Sequence, residues 1–415
     1  MFKYINTHLN KNDQLLKHSL VILIGSSLAN ILNYFYQLAM GRLLGPAEYG
    51  ILGALFSVMY VATFSLGTIK TVVMKFTSEY AEEPGKIKSL MKYSFEKLAL
   101  YGSIGFILFL LASVSLAKFL NIDNPVLIVL TGIFLFLSVL TPIPMGVLNG
   151  LEKYMPMNVV GVVVALVKLL LGVAAVSLSY GVFGALVALD LSQVLAIVVP
   201  LVVLLPFLRV DKEKIEHVDL LKYSLPVFVG ITMMNLFVNI DVLLVKHYFT
   251  SVEAGYYAAA SIIGKTILFG TSALVIVMFP KVSKESNNSS PLLKSTLFYT
   301  FVMAATASAL FFIVPTFISN SLFGKAYEIS SYVGLFGLAL GIFSLSNVLM
   351  NYHLALNNTS FVYWLIPFLL LEVGAITIFH SSLKEVIQVV LVTNVLLAGF
   401  LLFMTQKELG INATL

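Results

Sequence analysis

The chain has 415 residues, of which 59% are hydrophobic and only 11% are charged, and its formal net charge is +5. Soluble globular domains are about a quarter charged, so this composition predicts that lipid surrounds most of the chain. Because the sequence contains no cysteine, disulfides and thiol-based metal or catalytic chemistry are excluded. The apolar run that follows residues 1–17 is too long for the core of a cleavable signal peptide.

Long apolar runs follow one another along the chain, and each can cross a bilayer as a helix. These runs do not alternate as the strands of a membrane barrel do. We therefore predict an all-α integral membrane protein with twelve transmembrane helices. The predicted spans are 19–41, 51–74, 92–117, 125–148, 158–179, 182–207, 223–246, 256–279, 293–318, 329–354, 360–380 and 385–404.

A polar segment, residues 209–222, divides these spans into two sets of six. The sequence thus predicts an N-terminal six-helix lobe, 1–208, and a C-terminal six-helix lobe, 209–415. Six spans per lobe give both lobes the same orientation, and parallel repeats of this kind enclose a central cavity.

Lysines and arginines are unevenly shared between the two sets of helix ends. Eighteen lie at the ends that include both termini, and five lie at the opposite ends. Positive residues mark the cytoplasmic side, so we expect a protein of the cytoplasmic membrane with both termini in the cytoplasm. The positive charge is then a topology signal, and no nucleic-acid partner is expected.

A short polar hinge, Arg42-Leu-Leu-Gly-Pro-Ala-Glu-Tyr-Gly50, separates the first two spans. Gly45-Pro46 is expected to end the first helix, and Gly50 allows the second to begin. In the second lobe, residues 239–246 lead into 252–260 with a similar order of base, Glu and Gly. One such hinge alone is also what an ordinary turn between two spans shows.

Together with Gly255-Tyr256-Tyr257, Pro280 and the stretch 181–185, these hinges resemble the polysaccharide-exporting branch of the MOP superfamily (multidrug/oligosaccharidyl-lipid/polysaccharide). Its Wzx-type members flip lipid-linked oligosaccharides. The resemblance covers residues 20–404. It implies a transporter that flips a lipid-linked oligosaccharide or polysaccharide precursor across the cytoplasmic membrane by alternating access. Membrane lipids and glycan-assembly enzymes are the other expected partners, and a monomer is the expected state.

A MATE-like multidrug exporter of the same superfamily is the alternative. Such exporters typically use an ion-coupling acid in the first lobe, whereas the span 19–41 contains neither Asp nor Glu. An enzyme acting on lipid-linked sugars would present a large extracytoplasmic loop, and the outward loops here are short. We therefore expect no catalytic residues.

Cofactors and metals are not expected either. Gly264-Lys265-Thr266 lies inside an apolar helix and lacks the preceding glycine of a phosphate-binding loop. The six histidines are scattered along the chain, and none forms a pair with metal-binding spacing.

Four bases are candidates for holding the phosphate of a lipid carrier, because the resemblance implies that helices one, two, seven and eight line the cavity. These are Arg42, Lys70, Lys246 and Lys265. A purely structural role is the alternative for each. Arg42 would then anchor at the lipid headgroups, and Lys70 would extend its ammonium to the membrane surface.

Ionisable groups deep in a span are costly unless they face a partner or water. Lys168, Asp190, Asp241, Lys265 and Glu372 are the deep groups here. Lys168 and Asp190 lie at nearly equal distances from the turn near Gly181, which predicts an ion pair.

Glu372 and Asn394 occupy the corresponding positions in the second lobe, which predicts a hydrogen bond between them. Each pair could fasten its hairpin, and one acid could also carry a coupling proton.

Overall fold

The computed structural model describes residues 11–63, 66–215, 220–284, 290–356 and 358–412, which form fifteen helices and no strand. In chain order these are α1 (Lys11–Thr63), α2 (Gly67–Glu79), α3 (Pro84–Phe119), α4 (Pro125–Leu140), α5 (Pro142–Gly150), α6 (Tyr154–Ser177), α7 (Gly181–Val203), α8 (Leu205–Leu208), α9 (Leu220–Tyr248), α10 (Ser251–Lys284), α11 (Ser290–Ile313), α12 (Pro315–Leu322), α13 (Ser330–Ala355), α14 (Ser360–Ile378) and α15 (Leu383–Asn412).

Eleven stretches of the described residues are long and apolar enough to cross a membrane. The first of them, Val21–Glu79, covers residues 21–41 of the first predicted span and all of the second. Lipid offers no hydrogen-bond partner to the backbone, which is why each stretch is helical. The predicted all-α class of a multi-pass membrane protein is confirmed.

The helical path of α1 breaks at Gly45, whose φ of 71° and ψ of 175° are far from helical values. Pro46 follows directly, and it has no backbone N–H to donate to the preceding turn. The predicted end of the first span at Gly45-Pro46 is therefore confirmed. Prolines divide other predicted spans in the same way, since α5 and α12 each begin at a proline.

The chain forms two compact units. Unit 1 comprises Met1–Leu43, Leu66–Ala117 and Asn124–Leu225, and unit 2 comprises Leu44–Ser65, Lys118–Asp123 and Pro226–Leu415. The predicted lobe boundary at 208/209 therefore falls inside unit 1. Two segments of the first half of the sequence, including the second part of α1, pack with the second half.

In unit 1, small residues let helices approach closely. A Cβ atom on Gly146 of α5 would lie 2.9 Å from the carbonyl oxygen of Lys70 on α2, and one on Gly150 would lie 2.6 Å from that of Met74. The apolar core includes Val73, Leu90 and Val147 from α2, α3 and α5. Close backbone approach is how helices gain packing energy in lipid, where the hydrophobic effect does not drive them together.

In unit 2, α13 is the central helix, and it packs against α10, α11 and α15. Gly334 and Gly337 face α11, where a Cβ atom would lie 2.6 Å and 2.8 Å from the rings of Phe312 and Phe311. On its other side, α13 receives Gly264 of α10 against Phe336 and Leu340. These contacts fix the position of α10, the helix that carries Tyr257 and Lys265.

The tightest approach in unit 2 joins α1 to the start of α10. A Cβ atom on Gly255 would lie 1.9 Å from the carbonyl oxygen of Pro46, and one on Gly50 would lie 2.2 Å from that of Ser251. Only glycine fits at either position, because the obstructing atoms belong to the backbone. This contact explains why the second part of α1 belongs to unit 2.

Gly255→Val should therefore lower the free energy of unfolding by about 1–3 kcal/mol or more, as overpacking does in a tight core. The measurement is the temperature at which the purified protein loses its monodisperse peak in detergent. Gly399→Ala is the control, because a Cβ atom there meets nothing within 4 Å. Equal melting temperatures for Gly255→Val and the wild type would contradict the close approach.

Candidate functional site

The turn between α9 and α10 is fixed by its own side chains. Glu253 accepts hydrogen bonds from the backbone N–H of Thr250 at 3.1 Å and from its hydroxyl at 2.7 Å, and the N–H of Glu253 donates to that hydroxyl at 3.3 Å. This reciprocal arrangement is a capping box, which satisfies the free donors at the start of α10. Glu253 thus fixes the geometry that places α9 and α10 side by side.

Two hydrogen bonds join α9 to α10 inside unit 2. The ammonium of Lys265 donates to Oδ1 of Asn239 at 3.0 Å, and the hydroxyl of Tyr257 donates to Oδ2 of Asp241 at 2.8 Å. All four side chains are buried. Asp241 and Lys265 also attract each other electrostatically.

Glu372 of α14 completes this group. Its side chain is fully buried at 0% exposure, and it interacts electrostatically with Asp241 and Tyr257. Neither carboxyl oxygen has a hydrogen-bond partner among the described residues. We call Asn239, Asp241, Tyr257, Lys265 and Glu372 the polar cluster. Two acids beside one lysine can take up a proton or a cation, and the lysine can attract an anion.

Lys246 has a different environment at the end of α9. Its side chain is 1% exposed, and its ammonium donates to the carbonyl oxygen of Asn121 at 3.2 Å and to Oγ of Ser251 at 3.1 Å. Asn121 in turn donates to the carbonyl oxygen of His247 at 2.9 Å, and the His247 ring stacks on Phe119. Lys246 therefore fastens the segment Lys118–Asp123 to α9, and its role in phosphate binding stays a prediction.

The other two candidate bases lie in unit 1. Arg42 is exposed on α1, three residues before the break at Gly45, and Lys70 is half-buried on α2. Lys246 and Lys265 lie in unit 2, each with its own set of partners. Phosphate binding by Arg42 and Lys70 also stays a prediction.

The predicted ion pair between Lys168 and Asp190 is wrong. The ammonium of Lys168 donates instead to Oδ1 of Asn33 on α1 and lies 4.9 Å from the centre of the Tyr36 ring. Among the described residues, neither oxygen of Asp190 has a hydrogen-bond partner.

The reason is the direction in which each helix face points. The carbonyl oxygen of Ala185 on α7 accepts a hydrogen bond from Tyr36 at 2.8 Å, so this side of α7 faces α1. Asp190 follows five residues later, which turns it about 140° away on a helix of 3.6 residues per turn. Gln193, three residues further on, donates to Ser138 of α4 at 2.7 Å.

The predicted hydrogen bond between Glu372 and Asn394 is also wrong. The amide of Asn394 on α15 donates to the carbonyl oxygen of Ala339 on α13 at 3.0 Å. Its own Oδ1, like both oxygens of Glu372, has no partner among the described residues. Asn394 therefore belongs to the contact with α13, whereas Glu372 belongs to the polar cluster.

Sequence reasoning missed the neutral members of these sites. Asn239 and Tyr257 stood in recognised motifs, but nothing in their spacing indicated that they bind Lys265 and Asp241. Asn33 and Tyr36, which contact Lys168, lie in the span 19–41. That span was considered only for its lack of Asp and Glu, so its neutral polar residues were overlooked. Among the described residues, no group of three His, Asp or Glu side chains is placed to hold a metal ion.

Comparison with known proteins identifies one family and one relative that match most of the chain. The family described as "Polysaccharide biosynthesis protein" matches residues 15–286, more than half of the chain. An uncharacterized membrane protein of Methanocaldococcus jannaschii is 26% identical, and the match covers 81% of this chain and 91% of that protein.

Solved structures share the fold at low sequence identity. A MATE-family multidrug resistance transporter of the MOP superfamily in an inward-facing conformation matches with a TM-score of 0.76 and 14% identity, covering 95% of this chain and 99% of the other. The lipid II flippase MurJ, in an inward closed conformation, matches with a TM-score of 0.73 and 14% identity, covering 93% and 87%. A MOP-superfamily transporter from Pyrococcus furiosus matches with a TM-score of 0.67 and 16% identity, covering 97% and 96%.

The polar cluster predicts a specific pattern of stability changes. Lys265→Met should lower the free energy of unfolding by about 1–3 kcal/mol, because it leaves Oδ1 of Asn239 without its donor and removes the lysine that attracts Asp241. The double variant Lys265→Met/Asp241→Leu should lose less stability than the two single variants lose together. Thermal unfolding in detergent measures these changes.

Two further variants act as controls for this cycle. Tyr257→Phe keeps Lys265 but removes the hydrogen bond to Asp241, and it should cost about 1.5–3 kcal/mol. Lys281→Met removes an exposed lysine from the end of α10 and should change little. Strictly additive losses at Lys265 and Asp241 would show that the two groups do not interact.

Proposed function

Because the chain belongs to the polysaccharide biosynthesis protein family, within the MOP superfamily, we propose that it is a transporter of lipid-linked glycan precursors. It would flip a lipid-linked oligosaccharide or polysaccharide precursor from the inner to the outer leaflet of the cytoplasmic membrane by alternating access. The family match carries this proposal, and residues 15–286 include all four candidate phosphate-binding bases.

The partner of Lys265 supports an anionic substrate. Asn239 satisfies a hydrogen bond of the ammonium without cancelling its positive charge. The phosphate or pyrophosphate between a polyprenol and its sugars would bring the negative charge that such a lysine attracts. This attraction is much stronger in a groove lined by protein than in bulk water.

The two acids of the polar cluster would control when the phosphate binds and when it leaves. Asp241 shares the electrostatic field of Lys265, so an arriving phosphate competes with Asp241 for the ammonium. Uptake of a proton or cation by Asp241 or Glu372 would favour phosphate binding, and its release would favour phosphate departure. The acids would thus couple transport to an ion gradient, while the sugars pass through a hydrated groove and the lipid tail stays in the bilayer.

Multidrug export is the second candidate function, and the likeness to a multidrug transporter with a TM-score of 0.76 favours it. A cationic drug would bind the acids of the polar cluster and be repelled by Lys265. The two functions therefore differ in the sign of the substrate charge, which experiments can test. We propose a monomer that works beside glycan-assembly enzymes.

Loss of the positive charges should block glycan export. In Arg42→Ala and Lys265→Gln, surface glycan should fall about tenfold or more, because a hydrogen bond to a charged group contributes about 1.5–3 kcal/mol. Lys265→Gln keeps a donor for Asn239 and removes only the charge. The measurement is surface glycan at equal protein level in the membrane, together with lipid-linked intermediates in the inner leaflet.

Lys281→Ala is the matched control, since it removes an exposed lysine from the same helix as Lys265. Normal surface glycan in both Arg42→Ala and Lys265→Gln would contradict phosphate binding by these residues. If the variants instead changed resistance to cationic drugs and left surface glycan unchanged, multidrug export would be favoured.

The proposed orientation makes a separate prediction. Single cysteines at Asp123 and Lys325, both exposed, should react with a membrane-impermeant thiol reagent added to intact cells, and a cysteine at exposed Lys214 should not. The native chain has no cysteine that would add background. Labelling of the Lys214→Cys variant from outside would contradict the proposed orientation.

A further inference from the structure

Three lysines of unit 1 converge on one groove. Lys88 and Lys92 lie near the start of α3, and Lys212 lies in the segment 209–215 that follows α8. The groove has a volume of about 400 Å³ and is walled on its other sides by apolar side chains, namely Met91, Phe95, Leu201 and Leu208. We call it the lysine groove. It takes no part in the polar cluster, whose residues all belong to unit 2.

The segment 209–215 is held against α3 by three hydrogen bonds. The ammonium of Lys88 donates to the carbonyl oxygen of Val210 at 2.8 Å, and the hydroxyl of Ser89 donates to that of Glu213 at 2.6 Å. The backbone N–H of Glu213 donates to the carbonyl oxygen of Gly85 at 3.3 Å. Lys212 is therefore positioned by the backbone on both sides of it.

Gly85 is required for this arrangement. A Cβ atom at this position would lie 2.7 Å from the carbonyl oxygen of Asp211 and 2.5 Å from Oε1 of Glu213. Any larger residue would displace the segment from α3 and carry Lys212 away from Lys92.

Positive charge is concentrated at the lysine groove. Lys92 and Lys212 both line it, and Lys92 and Lys88 repel Lys212. The nearby Lys92 ammonium lowers the pKa of Lys212 below its ordinary value. Glu96 pairs with Lys92 at 3.3 Å and leaves an excess of positive charge. An anion between the two amino groups would remove their mutual repulsion.

We propose that the lysine groove binds the headgroup of an anionic phospholipid, with its phosphate held between Lys92 and Lys212. Its acyl chains would lie along the apolar wall, which continues into lipid-facing side chains such as Val202 and Leu205. Basic pockets at the cytoplasmic ends of membrane helices bind acidic lipids in this way. The site goes beyond the proposed function, and it lies in the inner leaflet if the proposed orientation holds.

The apolar wall distinguishes a lipid from a soluble anion. A free phosphate would be satisfied by the lysines alone and would leave Met91, Phe95, Leu201 and Leu208 facing water. A phospholipid covers both halves of the groove at once. A phospholipid would bridge α3, α7 and the segment 209–215. It would thereby stabilise the contact between α3 and this segment, to which Lys88 and Ser89 already contribute hydrogen bonds.

Native mass spectrometry of the purified full-length chain tests the proposal with phosphatidylglycerol and phosphatidylcholine of identical acyl chains. The wild type should retain phosphatidylglycerol preferentially. Lys92→Gln/Lys212→Gln should weaken its binding about 30-fold, because each lysine near an anionic lipid contributes about a factor of five. Lys281→Gln/Lys284→Gln removes the same charge from exposed positions on α10 and should keep wild-type binding.

A second variant tests how the groove is built. Gly85→Val keeps all three lysines but displaces Lys212, and it should weaken phosphatidylglycerol binding as the double lysine variant does. Thermal unfolding without added lipid checks that each variant is folded.

Three results would overturn the proposal. They are equal retention of the two lipids by the wild type, equal loss of binding in the α10 control, and displacement of the lipid by equimolar inorganic pyrophosphate. The last result would identify a site for a soluble anion. Because no glycolipid is present, these results are independent of the proposed transport function.

Discussion

A charged side chain buried in a membrane protein is costly without a polar partner, and in unit 2 this constraint fixes how α9 and α10 meet. Lys265 donates to Asn239, and Tyr257 donates to Asp241. Moving either helix would leave a buried charge without its partner, at a cost of several kcal/mol. The capping box at Thr250 and Glu253 sets the turn that makes these contacts possible.

Glycines also determine how the helices pack, because they let backbones approach where side chains would keep them apart. Gly255 and Gly50 bring α1 and α10 together, Gly334 and Gly337 seat α11 on α13, and Gly85 admits the segment 209–215. In lipid, such close contacts replace the hydrophobic effect as the source of packing energy. The glycines are therefore the positions at which one added methylene has a large structural consequence.

The sequence indicated which ionisable groups lie within apolar helices but not which way their side chains point. Hydropathy and proline positions were sufficient for the spans and for the break at Gly45, since both depend on local chain properties. The distances of Lys168 and Asp190 from the turn at Gly181 indicated their depth as well. Depth does not determine rotation about the helix axis, and the step of five residues from Ala185 to Asp190 turns the acid away from α1.

Neutral residues were harder to predict than charged ones for a related reason. An isolated lysine or acid in an apolar run is conspicuous, whereas Asn33, Asn239 and Tyr257 are unremarkable in composition. Their importance comes from tertiary contacts that no local pattern encodes. The same limit explains Asn394, whose amide binds the carbonyl oxygen of Ala339 on a helix distant in sequence.

The two deep lysines share a feature that bears on function. Lys168 of unit 1 donates to Asn33, and Lys265 of unit 2 donates to Asn239, so each ammonium is hydrogen-bonded by a neutral amide. A carboxylate partner would have closed a structural ion pair and cancelled the charge. An amide satisfies the hydrogen bond and leaves the field of the lysine available to another group.

The buried acids differ from the two lysines. Both oxygens of Asp190 and of Glu372 lack hydrogen-bond partners among the described residues, although the two lysines have theirs. An ion pair with a lysine would hold each acid charged and fixed, whereas a buried carboxyl group without such a partner favours its protonated form. Separating the acids from the lysines leaves the lysines charged and the carboxyl groups able to exchange a proton. That separation favours a transporter, whose charged groups must exchange partners during each cycle.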